Sequence, residues 1–368
     1  MAGLYIHIPF CVSRCIYCGF YSTTNHSMQD RYVDSLCHEA ELRRDYLEED
    51  IHTIYIGGGT PSVLSTQQLR RIFSHIDYKN AVEITMECNP DDITPEYATA
   101  LRELPINRIS MGAQTFDDGR LRFLRRRHKS SDVRRAVETL RKAGIENISI
   151  DLMYGFPGET VDDWKQDIDT AISLNVEHIS AYSLMFEEDT PLYHMKEKGD
   201  VSETDEELSL QMYETLIDRL KSAGYKHYEI SNFAKPGFRS RHNTGYWTDI
   251  PYMGIGAAAH SYNRTSRQWN VSDITKYINE IGNNKIPAET ENIDSDTRYN
   301  DTIMLRLRTC EGVNITNDIC EEKYRKACLK TAQKYIDNGL LTLDNGSLRL
   351  TRKGLFVSDM IMSDFMIV

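Results

Sequence analysis

Three cysteines fall within eight residues, at Cys11, Cys15 and Cys18, directly after an apolar run, Leu4-Tyr5-Ile6-His7-Ile8-Pro9-Phe10, that reads as a strand. Three thiolates on one tight loop can bind three corners of a cubane iron–sulfur cluster. No fourth cysteine follows at ligand spacing, so one iron of a [4Fe-4S] cluster is left open to a small molecule. Ile16, Tyr17 and Phe20 offer it apolar cover. Structural zinc is the competing reading. It needs four closed ligands in two pairs, and His26 and Cys37, the further donors at hand, lack paired spacing.

Similar apolar runs recur about every thirty residues, each followed by a helical pattern. The strand candidates are Leu4–Phe10, Thr53–Gly57, Val82–Cys88, Arg108–Ala113, Asn147–Met153 and His178–Leu184. Helices are expected at Gln29–Leu47, Thr66–His75, Pro95–Leu104, Asp132–Ala143 and Val161–Leu174, and Asp205–Ala223 closes the sixth unit. Strand-then-helix repeated six times predicts an α/β fold with a parallel sheet and crossover helices of one hand. Six units do not fill an eight-stranded barrel, so a partial, laterally open (β/α)6 barrel is expected. Its chemistry would sit on the loops after the strands' C-terminal ends, where the cysteine loop lies.

Beyond Ala223 the pattern changes. Tyr225–Phe233 reads as a further strand, and residues 235–265 read as loop, rich in Gly, Pro and aromatics. From about Ser295 a small module is expected, with helices near Tyr299–Arg308 and Cys320–Asn338, a hairpin turning at Asn345-Gly346, and a final helix. This resembles a winged-helix α+β unit. It lacks a basic recognition face, so packing or covering is its expected role, and Phe356, Val357, Met360, Ile361 and Phe365 follow core spacing. The division expected is a barrel over 1–233, a connecting segment over 234–294 and a C-terminal unit over 295–368.

With 43 basic and 55 acidic side chains the formal charge is −12, which argues against general nucleic-acid binding. The remaining cysteines, Cys37, Cys88, Cys310, Cys320 and Cys328, form no disulfide framework and fit a reducing compartment. The first residues run into a strand and no apolar stretch reaches spanning length, so a cytoplasmic protein without a signal peptide is expected.

The second strand ends in Gly57-Gly58-Gly59-Thr60-Pro61-Ser62, where absent Cβ atoms let the backbone approach a ligand. No Gly-Lys-Ser/Thr follows, so this is no phosphate-binding P-loop. Beside an open iron, the natural ligand is the methionine ammonium of S-adenosylmethionine. Glu87, Gln114 and Asp151 stand near the ends of the next three strands, one polar group per strand, as at a barrel mouth. The basic run Arg120, Arg122, Arg125, Arg126, Arg127 and His128 reads as a solvated face, or as the source of one guanidinium that clamps a carboxylate. Finally, Arg241-His242-Asn243-Thr244-Gly245-Tyr246-Trp247 places an imidazole among aromatics. It reads either as an axial haem ligand or as a histidine satisfied within its own loop.

With these motifs the chain resembles the radical S-adenosylmethionine proteins related to oxygen-independent coproporphyrinogen III oxidase, over nearly its whole length. The resemblance rests on Tyr5 to Cys11, Gly57 to Ser62, Gly112-Ala113-Gln114-Thr115-Phe116 and Asp151-Leu152-Met153-Tyr154-Gly155-Phe156-Pro157-Gly158. It implies that Cys11, Cys15 and Cys18 ligate the cluster. It also implies that Tyr5, Gly58, Gly59, Thr60, Glu87, Gln114, Arg126 and Asp151 contact S-adenosylmethionine. The group has two branches. The oxidases, which decarboxylate propionates of coproporphyrinogen III to vinyls, carry a long N-terminal extension and a further cysteine where this chain has Phe20. The HemW-type haem chaperones carry His-Asn-x-x-Tyr-Trp, present here from His242 to Trp247. The resemblance therefore points to a haem chaperone with His242 at the haem. Gly19, and Arg125 where Gly is common, keep the dehydrogenase as the alternative. It further implies haem or a porphyrinogen as ligand, an apo-haemoprotein client, an electron donor for the cluster, and a homodimer under cluster and partner control.

Overall fold

A computed structural model describes residues 1–367; Val368, the last residue of the expected C-terminal unit, lies outside them. The first six strands are β1 (Ala2–Ile8), β2 (Ile51–Gly58), β3 (Glu83–Cys88), β4 (Arg108–Gln114), β5 (Asn147–Tyr154) and β6 (His178–Ser183). They pair in parallel in chain order, with helices between them. Side-chain alternation gives each strand two characters. Ile6 and Ile8 of β1, Ile54 and Ile56 of β2, Ile84 and Met86 of β3, and Ile148 and Ile150 of β5 bury against the helices. The intervening positions, among them Tyr55, Thr85, Glu87, Arg108, Ser110, Ser149 and Asp151, are polar and face the other way. Several of the helices start at side-chain caps. Ser65 and Gln68 form a capping box for Thr66–Phe73, and Thr160 and Asp163 form one for Val161–Ser173.

The segment expected to connect two units is part of the sheet. Strand β9 (Tyr252–Ile255) pairs in parallel with the outer edge of β1, from Gly3↔Tyr252 to Ile6↔Ile255. Three antiparallel strands, β10 (His260–Tyr262), β11 (Ser266–Asn270) and β12 (Ala288–Asn292), continue beyond it. At the other edge the expected single strand is a hairpin, β7 (Lys226–Glu229) and β8 (Asn232–Ala234), paired through β8 to β6. Among the described residues the sheet thus has twelve strands, ordered β12-β11-β10-β9-β1-β2-β3-β4-β5-β6-β8-β7, and its edges do not meet. The partial, open barrel stands, with seven parallel strands in place of six. Strands of three to five residues broken by Gly254 and Gly256 are too short for a hydrophobic pattern, which is why 235–265 reads as loop.

A buried network fastens this extension to helix Gln29–Leu42. Glu39 accepts from Tyr277 Oη at 2.6 Å, Asn270 Nδ2 at 2.7 Å and Gly256 N at 2.8 Å. Beyond it, helices Ser295–Arg306 and Glu322–Asp337 pack with a three-stranded sheet, β13 (Val313–Asn314), β14 (Leu341–Asp344) and β15 (Ser347–Leu350), around a separate apolar core. The hairpin turns at Asn345-Gly346, and the expected final helix is two short ones, Arg352–Phe356 and Ser358–Asp364. Arg352 clamps Asp218 at 2.5 and 2.8 Å, and the Arg308 guanidinium lies 5.2 Å from the Trp247 ring centre. Among the described residues no helix is long and apolar enough to cross a membrane.

Candidate functional site

The cysteine loop leaves β1 and is tied down by backbone bonds, Cys11 N to Thr23 O at 2.9 Å and Thr23 N to Pro9 O at 2.7 Å. Ile16 anchors it in a small apolar cluster with Leu124, Met153, Phe156, Leu184 and Leu192. The two further donors stay apart. His26 bonds the Cys11 carbonyl through Nε2 at 3.1 Å, and Cys37 is buried with its thiol toward the Arg71 carbonyl. Among the described residues no three His, Cys, Asp or Glu side chains converge closely enough to hold a single metal ion. Cys11, Cys15 and Cys18 instead line one cavity of ≈ 660 Å³, a spread that suits separate corners of a multi-iron cluster better than a single zinc ion. Burial pushes the Cys11 and Cys18 thiols up. The Thr60 hydroxyl, 3.5 Å from Cys11 Sγ, works the other way, and Arg126 Nη1 lies 3.6 Å from Cys15 Sγ.

The same cavity is lined by Gly58, Gly59, Thr60, Glu87, Gln114, Arg126 and Asp151, all expected from the sequence. At Gly58 the backbone has φ +111°, and a Cβ there would lie 2.4 Å from the His7 ring. A Cβ on Gly59 would lie 3.0 Å from Cys11 Sγ, so at both positions the space for a side chain is already taken, and glycine lets the backbone pass this close to His7 and the cysteine loop. Gly58 N donates to Glu87 Oε2 at 3.1 Å and Tyr55 Oη donates to Oε1 at 2.7 Å. Burial still dominates and raises the Glu87 carboxyl to about 7, with Asp151 adding to the rise. Burial raises Asp151 as well, against bonds from Ser180 and Ser110. Arg126 leaves the exposed basic run: Nη2 donates to Asn89 Oδ1 at 2.7 Å and to the Gly112 carbonyl at 2.5 Å, and Nε is buried without a partner. Gln114 sits at a register shift in β4 with φ 65°.

Two expected residues lie elsewhere. Tyr5 is deeper in the barrel; its hydroxyl donates to His7 Nδ1 at 2.9 Å, since His7 Nε2 serves the Tyr21 carbonyl, and its ring stacks on Tyr55. His242 lies in helix Arg241–Trp247, whose first amides, Arg241 N and His242 N, both reach the Glu83 carboxylate at 2.9 Å. Its Nδ1 is 2.9 Å from Thr53 Oγ1 and its Nε2 is 2.8 Å from Tyr246 Oη. This helix lines a second cavity of ≈ 350 Å³, beside Ala2, Gly3 and Thr53 at the strands' N-terminal ends. Burial and the Arg108 charge lower His242 to about 3. Sequence reasoning missed Tyr55, Asn89, Arg108, Ser110, Tyr182 and Asn243, which also line the larger cavity. Tyr55, Arg108, Ser110 and Tyr182 follow the two-residue period of β2, β4 and β6, and Asn89 continues that of β3, whereas Asn243 lies on helix Arg241–Trp247 and carries no such signal.

Residues 5–171 match the Radical SAM superfamily and residues 293–357 the HemN C-terminal domain. The chain is similar over its length to curated proteins named "Heme chaperone HemW". The relative from Bacillus subtilis is 35% identical, covering 100% of this chain and 99% of its own. That from Lactococcus lactis is 36% identical, covering 99% and 97%. Among solved structures, coproporphyrinogen III oxidase (HemN) from Escherichia coli, described as a radical SAM enzyme, superposes with TM-score 0.84 at 21% identity. It covers 99% of this chain and 89% of that one, and shows the shared fold. Radical SAM proteins use a [4Fe-4S] cluster and S-adenosylmethionine, and the three thiols, the glycine cradle and the buried carboxylates described above fit both. On sequence and fold together, this chain belongs to the HemW family of radical SAM proteins.

Proposed function

We propose that the chain is a haem chaperone, which binds haem and passes it to an acceptor haemoprotein. The observation that carries this reading is the second cavity. The His-Asn-x-x-Tyr-Trp segment folds as a helix that sets His242 beside a mainly apolar space, apart from the cysteine loop. The lowered His242 pKa keeps the imidazole neutral, the form that ligates iron. Both ring nitrogens are engaged, so ligation through Nε2 requires the Tyr246 hydroxyl to yield its place. Arg241, exposed at the rim, suits a haem propionate. Likeness to full-length proteins named haem chaperones supports the reading, as does Phe20 standing where the oxidases carry a cysteine.

In this reading residues 1–233 hold cluster and S-adenosylmethionine, with Tyr5 supporting Tyr55 beneath them, residues 234–294 bring the haem motif, and residues 295–368 cover that side. The cluster, when present, supplies electrons to S-adenosylmethionine and draws them from a reductant. A cytoplasmic setting, a haemoprotein client and a cluster-dependent homodimer complete the proposal. The test is a haem titration followed by absorbance, with wild type and His242→Ala, then transfer to apomyoglobin. Haem affinity at least tenfold weaker in the variant is expected; equal affinity would remove His242 from the haem site. The alternative, oxidative decarboxylation of coproporphyrinogen III, draws on Gly19. Catalytic product formation by the same cluster-loaded preparation would favour it over the chaperone.

A further inference from the structure

The two cavities meet at one helix and one strand. In helix Arg241–Trp247 the four-residue spacing puts His242 and Tyr246 on one side, where Tyr246 Oη lies 2.8 Å from His242 Nε2, and both residues line the ≈ 350 Å³ cavity. Asn243, about 100° further round the helix, lines the ≈ 660 Å³ cavity with the cysteine loop instead. Among the described residues no hydrogen bond reaches its side-chain amide. Strand β2 repeats the division. Thr53 lines the smaller cavity and its Oγ1 lies 2.9 Å from His242 Nδ1, while Tyr55, two residues on and on the same face, lines the larger. The Tyr55 ring stacks on the His242 ring at 5.3 Å between centres, and its hydroxyl donates to Glu87 Oε1 at 2.7 Å. Glu87 Oε2 takes Gly58 N at 3.1 Å, at the glycine turn. Direct contacts thus run from the imidazole of the haem motif into the wall of the cysteine cavity.

His242 has two arrangements open to it. As it stands it is capped, with Thr53 and Tyr246 on its nitrogens and Tyr55 over one face. Haem ligation through Nε2 needs it uncapped, with the Tyr246 hydroxyl turned away. A ligand that fits one arrangement better than the other shifts the balance by that preference. We propose that a molecule seated in the cysteine cavity against Tyr55, Glu87 and Asn243 braces the capped arrangement and so weakens haem binding in the other cavity. This rests on the haem-chaperone reading and deepens it by naming a regulator of the same site. S-adenosylmethionine on one side of the shared wall favours haem release on the other. Such coupling is reciprocal, so haem weakens S-adenosylmethionine by the same factor.

The test is a haem titration by difference absorbance on cluster-reconstituted protein at increasing S-adenosylmethionine, without reductant so that the cofactor stays whole. Wild type is expected to bind haem about five- to fiftyfold more weakly as S-adenosylmethionine rises, and the loss is expected to level off, as coupling between two sites requires. Calorimetric titration of S-adenosylmethionine into haem-free and haem-loaded protein should return the same factor. Tyr55→Phe keeps the ring and drops its bond to Glu87, and Asn243→Ala trims a side chain of the larger cavity's wall. Each is expected to bring the factor towards one. Without haem, S-adenosylmethionine should slow hydrogen exchange in residues 241–247 of wild type, and do so less in either variant. A factor of one in wild type would overturn the proposal. So would a loss that grows in proportion to S-adenosylmethionine without levelling, since haem would then be entering the cysteine cavity itself. Variants that both keep the full factor would overturn it too, because the shared wall would not be carrying the effect. Haem that fails to bind even without S-adenosylmethionine would instead sink the chaperone reading, and the exchange experiment would still show whether the helix senses the larger cavity.

Discussion

Glu87 is the residue whose ionisation the fold controls most visibly. Its folded value of about 7 lies above the ordinary 4.5, so folding favours the protonated acid. That contribution is whole below about pH 4.5 and is lost as pH rises through about 7. Wild type is therefore expected to lose about 2 kcal/mol against Glu87→Gln between about pH 5 and pH 8, read from urea midpoints; the cavity wets one side and trims the full effect. Parallel pH profiles for the two proteins would show Glu87 charged throughout. Gly58→Ala makes a different demand. Its backbone lies in the left-handed region and its new methyl meets the His7 ring, so a loss of about 1–3 kcal/mol or more and weaker S-adenosylmethionine binding are expected in the same titrations.

At the scale of elements, helix Arg241–Trp247 is instructive because a distant strand holds its first turn. Both Glu83 oxygens take its leading amides, so Glu83→Ala leaves the buried His242 amide and the part-buried Arg241 amide bare and is expected to cost about 2 kcal/mol. Hydrogen exchange should quicken in residues 241–247 before the rest of the sheet; uniform exchange would mean that the helix is held elsewhere. Nothing in the sequence near Glu83 announces this role, because the two partners are 158 and 159 positions apart. What was legible was local: the cysteine loop, the glycine turn, and one polar group at each strand end. The same alternation that puts Ile84 and Met86 into the core puts Glu83, Thr85 and Glu87 on the inner face, so β3 could be read from its own residues. Strand β9 could not, since what makes Tyr252–Ile255 a strand is the edge of β1 rather than its own pattern. Arg108 lay in plain view at a predicted strand's start, but only register shows that its neighbours offer it no carboxylate.

The whole molecule joins its C-terminal unit to the barrel by contacts of unequal weight. The Arg352–Asp218 pair is largely exposed, so Arg352→Ala is expected to change stability by less than about 1 kcal/mol, and less still in high salt. A drop of several kcal/mol would show that the two units melt as one through this pair. Weightier is the order of strands. Since β1 lies between β2 and β9, the first strand synthesised receives its second neighbour only after residue 252 exists. Strand pairing across such a separation is slow, and at about 5–20 residues per second the ribosome needs well over ten seconds to supply it. During that interval the outer flank of β1 stays unpaired, although every residue that lines the cysteine cavity, up to Asn243, is already in the chain. A fragment ending at residue 250, which leaves that flank bare, is therefore expected to unfold at lower urea than one ending at residue 294, and equal midpoints would mean that β9 adds nothing to β1. The outer edge of the barrel is thereby closed late, by a pairing that the order of the chain itself postpones.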